Sequence, residues 1–280
     1  MYLQVDPQKS CARAWIAAAL KVSPTGEAYN VVFDVEDPTA FDKQDNQVIN
    51  LVDRFLRGHS VGPVSTVANT LFPQSLYRKH GAPKFYGEYL TAYKRLTKSK
   101  SWGRYFLRMT RRMTEGNEKT KVEKLDDSKT YNPLQELIDK MRDQKTKNRC
   151  VRAMHEIALY DPMFDRKRYS RGGPCLSLLS FKRHPERGLL LTAVYRNHSY
   201  ITRCLGNLIG LGRLQAFVAK EVGIPVGSLT CISTHAELDT GKEDGKRWTL
   251  TEARTLIADA AAILSVPLIE SPIAASANTP

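Results

Sequence analysis

Long apolar runs are the first thing this 280-residue chain lacks. The longest, Ala14–Leu20, falls far short of the roughly 20 residues that a membrane-spanning helix needs. The N-terminus carries Asp6 and has no extended apolar core followed by a small-residue cleavage site, so no signal peptide is expected. Paired cysteines are missing too. The five, at 11, 150, 175, 204 and 231, are odd in number and widely spaced, with no CxxC. That excludes a disulfide framework and a zinc site of local signature. It leaves reduced thiols, the state of a cytosolic protein, with one of them available as a nucleophile. Nor is there a dinucleotide fingerprint. Gly206, Gly210 and Gly212 have the wrong spacing and no strand before them. There are no repeats, and His155 and His184 have no partner at metal-ligand spacing.

Acidic residues are scarce beside basic ones, 29 against 42, for a net charge of +13. The imbalance is local: between Leu76 and Arg152 stand 21 Lys and Arg but only 9 Asp and Glu. A stretch of that kind suits a polyanion, such as a nucleotide phosphate, a polyglutamate tail or nucleic acid, or else a solubilising face. No recognition-helix motif supports an unrelated DNA-binding fold. Hydrophobic residues at 42% and charged residues at 25% are ordinary globular values.

Hydrophobic spacing predicts helices over 10–22, 47–57, 66–71, 86–96, 105–113, 205–222 and 249–265, and another opened by Asn132-Pro133. Alternation predicts strands over 28–36, 175–181, 188–195 and 226–233. The 115–131 stretch is nearly devoid of apolar residues and reads as an exposed excursion within a single domain covering 1–280, with a loose tail after 271. Strands and helices interleave without a strict βαβ rhythm, which predicts an α+β fold, a mixed sheet with packed helices.

Three polar groups fall where predicted strands begin or end. Cys175 follows Gly172-Gly173-Pro174, with Arg166, Lys167 and Arg168 upstream. A thiol entering a strand is most often core packing; as a nucleophile it needs its thiolate stabilised by a cation or a backbone donor. Arg196-Asn197-His198-Ser199 follows the next strand, and Ser233-Thr234-His235 closes the last. Taken singly, each is an ordinary polar loop or surface histidine.

Together they resemble thymidylate synthase and its pyrimidine hydroxymethylase relatives. The order is Pro174-Cys175, then Tyr195-Arg196-Asn197-His198-Ser199 with Asn207, then Gly227-Ser228-Leu229 with Ser233-Thr234-His235. The resemblance covers about residues 145–240. It implies a thymidylate synthase-like fold and a homodimer whose sheets pack face to face. By the same resemblance, Cys175 is the nucleophile, Arg196 binds the nucleotide phosphate and lowers the thiol's pKa, and Asn207 reads the pyrimidine edge. His235 contacts the ribose, and Ser199 stands in the pocket where the family has Asp. Arg149 matches one of a pair of arginines that reach the partner subunit's phosphate site, with Arg152 nearby. Trp102-Gly103-Arg104-Tyr105 weakly resembles another pocket segment.

The reaction so implied is transfer of a one-carbon unit, as methyl or hydroxymethyl, from 5,10-methylenetetrahydrofolate to carbon 5 of a pyrimidine nucleotide resembling dUMP. The alternative is a nucleotide- or nucleic-acid-binding protein on the same fold, using the basic 76–152 region. The missing family glutamate and the concentrated basic region both favour it, and the sequence departs from the family pattern at two positions. The family's glutamate, four residues before Phe55, is Leu51 here, with Asp53 the nearest carboxylate. The tyrosine two residues after the ribose-binding histidine is Glu237. The expected setting is cytoplasmic, with no membrane partner.

Overall fold

The computed structural model describes residues 2–96, 104–113, 130–161, 165, 173–241 and 247–265. The tail after 271, most of the 115–131 excursion, Trp102-Gly103 and the Arg166–Arg168 cluster lie outside them.

A mixed sheet runs in the order β1 (Leu3–Gln4), β2 (Glu27–Val35), β9 (Val226–Glu237), β7 (Gly188–Tyr195), β6 (Leu176–His184), β5 (Glu156–Ala158). β9 is antiparallel to β2 and parallel to β7, and a two-residue strand, β8 (His198–Ser199), pairs with the end of β9 just beyond β7. The N-terminal half supplies α1 (Cys11–Val22), α2 (Lys43–Gly58), α3 (Val64–Leu71), α4 (Gln74–His80), α5 (Lys84–Leu96) and α6 (Tyr105–Thr110). A two-stranded ribbon, β3 (Arg112–Met113) with β4 (Thr130–Tyr131), precedes α7 (Pro133–Thr146). One π-turn (Tyr200–Cys204) leads into α8 (Leu205–Val222), and α9 (Leu250–Ile263) follows the sheet. None of the described helices is long and apolar enough to cross a membrane.

Local chemistry sets the helix ends. Ser10 caps α1, accepting from the Arg13 amide, and its hydroxyl donates to buried Asp45 at 2.7 Å. Asp42 and Asp45 form a reciprocal capping box on α2, as Thr249 and Glu252 do on α9. Asn132 caps α7 ahead of Pro133. Gly223 ends α8 at φ 73°, a left-handed turn that a side chain would strain.

Several elements differ from the sequence expectation. β6 runs on to His184, and α4 has no counterpart in that expectation. The helix expected over 105–113 stops at Thr110, because Arg111 turns extended and Arg112 pairs with the strand at Tyr131. The last strand runs on to Glu237 rather than ending at Ser233, because β2 and β8 supply partners for its outer residues.

The three glycines of α8 have a packing role. A Cβ on Gly206 would lie 2.6 Å from Val67 Cβ, and one on Gly210 2.8 Å from the Ala68 carbonyl, so both glycines let α8 press directly onto α3. Gly212 meets the Pro38 carbonyl in the same way. Gly210→Ala is expected to lose about 1–3 kcal/mol through overpacking, read as a lower urea midpoint. An unchanged midpoint would mean that α3 moves aside freely.

The sheet has two unlike faces. Towards the helices point Phe33, Cys231, Ala193, Leu179 and Ile157, aligned across five strands and all buried. One residue along, Val32, Ile232, Val194 and Leu178 form an apolar row on the opposite face, each only half-buried. Beside it, Asp34, Thr230, Thr192, Ser180 and Glu156 form a polar row.

Candidate functional site

Burial sorts the thiols. Cys11, Cys204 and Cys231 are fully buried, and burial pushes all three up, Cys11 to about 12. Such thiols pack and do not react at neutral pH. Cys150 and Cys175 are half-exposed. Cys150 sits at the far end of β6, its Sγ against the Arg183 carbonyl. Cys175 stands just before β6 begins, where β7 and the outer part of β9 also reach.

The surroundings of Cys175 are built from three directions. Its amide donates to Tyr105 Oη at 3.1 Å, and the Leu176 amide donates to the same oxygen at 3.2 Å. Burial pushes the Tyr105 hydroxyl up to about 12, with Cys175 adding to the rise, so Tyr105 stays a neutral phenol. The Cys175 carbonyl accepts from the Arg196 amide at 2.9 Å, continuing the β6–β7 ladder past Leu176 and Tyr195. The Arg196 guanidinium is exposed, 5.7 Å from the Tyr160 ring centroid. Thr234 Oγ1 donates to the carbonyls of Tyr195 and Arg196, which ties the end of β9 to the same turn.

α6 owes its place beside Cys175 to a buried ion pair. The Arg108 guanidinium meets both carboxylate oxygens of Asp165, at 2.7 and 2.8 Å, and the carbonyl of Leu159 at 2.9 Å. Burial alone would raise the Asp165 carboxyl. The hydrogen bonds from Arg108 and from the Asp161 amide outweigh it and hold the group below its ordinary value.

At the outer end of β9 lies a second polar group. His235 Nδ1 meets Asn197 Oδ1 at 2.5 Å, and its Nε2 faces Glu27 at 3.3 Å. Asn197 Nδ2 and Ser199 Oγ both donate to Glu237 Oε1, at 3.3 and 3.2 Å. Ser199, standing where the family has Asp, is thus paired with a carboxylate from the neighbouring strand. Beneath this layer is a third group. Asn207, in the first turn of α8 and 3% exposed, donates from Nδ2 to His198 Nε2 at 3.1 Å. Its Oδ1 is buried with no hydrogen-bond partner among the described residues. The π-turn before it is pinned by Asp239, whose Oδ1 accepts from the amides of Ile201 and Thr202, and by Trp15 Nε1 on the Tyr200 carbonyl. Burial raises the Asp239 carboxyl despite those donors.

Cys175, Arg196, Ser199, Asn207 and His235 therefore gather around the turn after β7, linked through backbone bonds and through Asn197, His198 and Glu237. Arg149 does not join them within one chain. Its carbonyl accepts from Arg183 at the other end of β6, eight residues or about 26 Å of strand from Cys175. The carboxylate nearest the expected glutamate position is also committed elsewhere. Asp53 Oδ1 accepts the Val64 amide at 2.8 Å and so anchors the start of α3, while Leu51 packs against the core. Tyr105, His198 and Glu237 were not singled out as site residues by the sequence. Tyr105 was visible only within the 102–105 segment, because nothing local joins residue 105 to residue 175.

Among known proteins, no family model matches the chain. It is 32% identical over 101 residues to a curated protein of Methanothermobacter marburgensis described as "Putative thymidylate synthase", which covers 36% of this chain and 42% of that protein. A protein of the same description from Methanocaldococcus jannaschii is 31% identical over 113 residues, 39% of this chain and 48% of its own length. The chain thus spans less than half the length of the curated relatives it matches. The crystal structure of thymidylate synthase from T4 phage overlaps 38% of this chain and 35% of its own, at 19% identity and a TM-score of 0.32. Over the part of its length that they match, the chain is similar to curated proteins described as "Putative thymidylate synthase".

Proposed function

We propose that this protein transfers a one-carbon unit to carbon 5 of a pyrimidine nucleotide, by way of a Cys175 thiolate added at carbon 6. One observation carries the reading most: of the two half-exposed thiols, Cys175 is the one set between Tyr105 and Arg196 at the strand end that Asn207 and His235 also reach.

Carbon 5 of uracil is a weak nucleophile. Bond formation between Cys175 Sγ and carbon 6 places an electron pair on the carbon 5–carbon 4–O4 system, which then attacks the one-carbon unit. Loss of the carbon 5 proton, with the donor's nitrogen departing as the leaving group, gives an exocyclic methylene while Cys175 Sγ is still bonded to carbon 6. Arg196, beside the thiol through its backbone, is the cation for a phosphate dianion and for the thiolate. Asn207 offers a donor and an acceptor to the ring's amide edge. The His235–Asn197–Glu237 group is the polar surface for the sugar hydroxyl. Addition of hydride from the reduced donor to the exocyclic methylene would expel the Cys175 thiolate and leave a methylated base, and addition of water would expel it and leave a hydroxymethylated base.

By resemblance the donor is 5,10-methylenetetrahydrofolate. A pterin edge needs amide- and carboxylate-like partners, and Glu237, Asn197 and Ser199 are of that type. Asn197 and Ser199 both already donate to Glu237, so a donor of this kind must displace one of those bonds.

A homodimer belongs to this proposal. The half-buried row Val32–Ile232–Val194–Leu178 is the face on which a second sheet would pack, and Arg149 would then serve the partner's site. Ile232→Asp is expected to shift the protein from dimer to monomer in sedimentation, since a carboxylate buried at such a face has no cation to pair with. A protein that sediments as a monomer before substitution would rule the dimer out.

A second reading, non-catalytic binding on the same fold, is favoured by Leu51 and by the commitment of Asp53 to α3. It predicts strongly salt-dependent binding of DNA or RNA through the basic 76–152 region. Tritium release from carbon 5 of a labelled nucleotide separates the two: release supports the transferase, and no release with salt-sensitive nucleic-acid binding supports the binding protein.

A further inference from the structure

We propose that His198, held by Ser233, fixes the side-chain amide of Asn207 in the orientation that accepts a 4-oxo pyrimidine and rejects a 4-amino one. The inference rests on the nucleotide reading above and assigns the specificity of that site to a residue that touches no substrate.

His198 is 1% exposed. Its ring lies flat on Tyr195, with centroids 4.0 Å apart and planes 7° apart, and Tyr200 closes the other side edge-on at 5.5 Å. Each ring nitrogen has one partner: Nδ1 meets Ser233 Oγ at 2.9 Å, and Nε2 meets Asn207 Nδ2 at 3.1 Å. An amide NH2 only donates, so Nε2 is the bare nitrogen and the proton sits on Nδ1, donated to Ser233. Burial pushes the imidazole down to about 3, which keeps the ring neutral and one nitrogen bare at any working pH.

That bond commits one N–H of Asn207. The second N–H and Oδ1 remain, and Oδ1 is the buried acceptor without a partner. A donor and an acceptor side by side complement O4 and the N3–H of uracil. Cytosine presents the reverse, an N4 donor and a bare N3. To read it, the Asn207 amide would have to turn over and set Oδ1 against bare Nε2, two acceptors face to face. Relief would need the His198 proton to move to Nε2 and Ser233 to donate back to Nδ1. Ser233 Oγ also lies 3.4 Å from Tyr200 Oη, so a third group would have to adjust with it. An unmade buried hydrogen bond of this kind is expensive, and the cost falls only on the cytosine-bound state.

The test has two independent parts, both on the full chain. Nitrogen-15 NMR of the histidine rings should place the His198 proton on Nδ1, with no protonation above about pH 4. Calorimetry should find dUMP bound at least about tenfold more tightly than dCMP, with His198→Leu reducing that ratio towards one and His198→Gln, whose amide oxygen can accept from Asn207, restoring part of it. A proton on Nε2 overturns the inference, and so does an unchanged ratio in a folded His198→Leu protein. If His198→Leu does not fold, the NMR result on the unaltered protein decides. Failure of the unaltered protein to bind either nucleotide overturns the nucleotide reading itself, and the discrimination with it.

Discussion

Incubated with 5-fluoro-dUMP and 5,10-methylenetetrahydrofolate, the protein is expected to acquire a covalent adduct on Cys175, and the Cys175→Ser variant none. Fluorine at carbon 5 cannot leave as the proton does, so the ring cannot expel the thiolate once it has attacked. Mass spectrometry of the digested protein then locates the attachment. A serine hydroxyl at this place lacks the low pKa and polarisability of a thiolate, so turnover should fall by a factor on the order of 10³ or more. Nucleotide binding should survive, because in the proposed site Arg196 and Asn207, not Cys175, hold the phosphate and the ring. An adduct that persists in the variant would move the nucleophile elsewhere, with Cys150 the remaining half-exposed thiol among the described residues. A variant that loses nucleotide binding as well would make Cys175 a packing residue.

The second large effect is on stability. Arg108→Leu should cost about 3–5 kcal/mol, because it leaves the Asp165 carboxylate buried without its cation. The exposed side-chain fractions of the pair are 8% and 3%, so water cannot take the place of the lost partner. Urea unfolding of the two proteins at neutral pH measures the difference. The sign of the pH dependence follows from Asp165. Its folded value lies below the ordinary carboxylate value of 3.8, so its contribution is complete above that value and is lost as pH falls through the lowered one. The gap between unaltered protein and Asp165→Asn should therefore narrow on acidification below about pH 4. A gap that stays constant down to pH 2 would mean the carboxyl is not depressed by Arg108. Because α6 carries both Arg108 and Tyr105, which accepts from the Cys175 amide, the proposed site predicts that Arg108→Leu slows adduct formation on Cys175 beyond what lost stability explains.

Much of the framework was legible along the chain. Strand 188–195 and helix 205–222 fall where alternation and i, i+3, i+4 spacing put them. Ser10, Asn132-Pro133, Thr249 and Gly223 act as the helix signals that their residue types announce. These are local effects, decided by a hydrogen bond or a backbone angle within a few residues. The helix expected over 105–113 ended early for the opposite reason. Arg112 finds its partners in Asp161 and the strand at Tyr131, neither within reach of a local pattern.

The proposed site divides in the same way. The order Cys175, Arg196, Asn207, His235 could be read in one dimension, because strand ends and helix starts have local signals and the resemblance preserves their spacing. The sequence by itself determined which polar residues stand at those ends, where the basic charge is concentrated, and that five thiols form no paired framework. Only the tertiary structure decided which thiols are buried, which carboxylate meets Ser199, what Asp53 is used for, and that Tyr105 and His198 stand behind Cys175 and Asn207. Those contacts join positions between 9 and 70 residues apart. Each is made because sheet pairing and close helix packing leave a polar group only one partner within about 3 Å, and a sequence records the groups but not which of them the packing brings face to face.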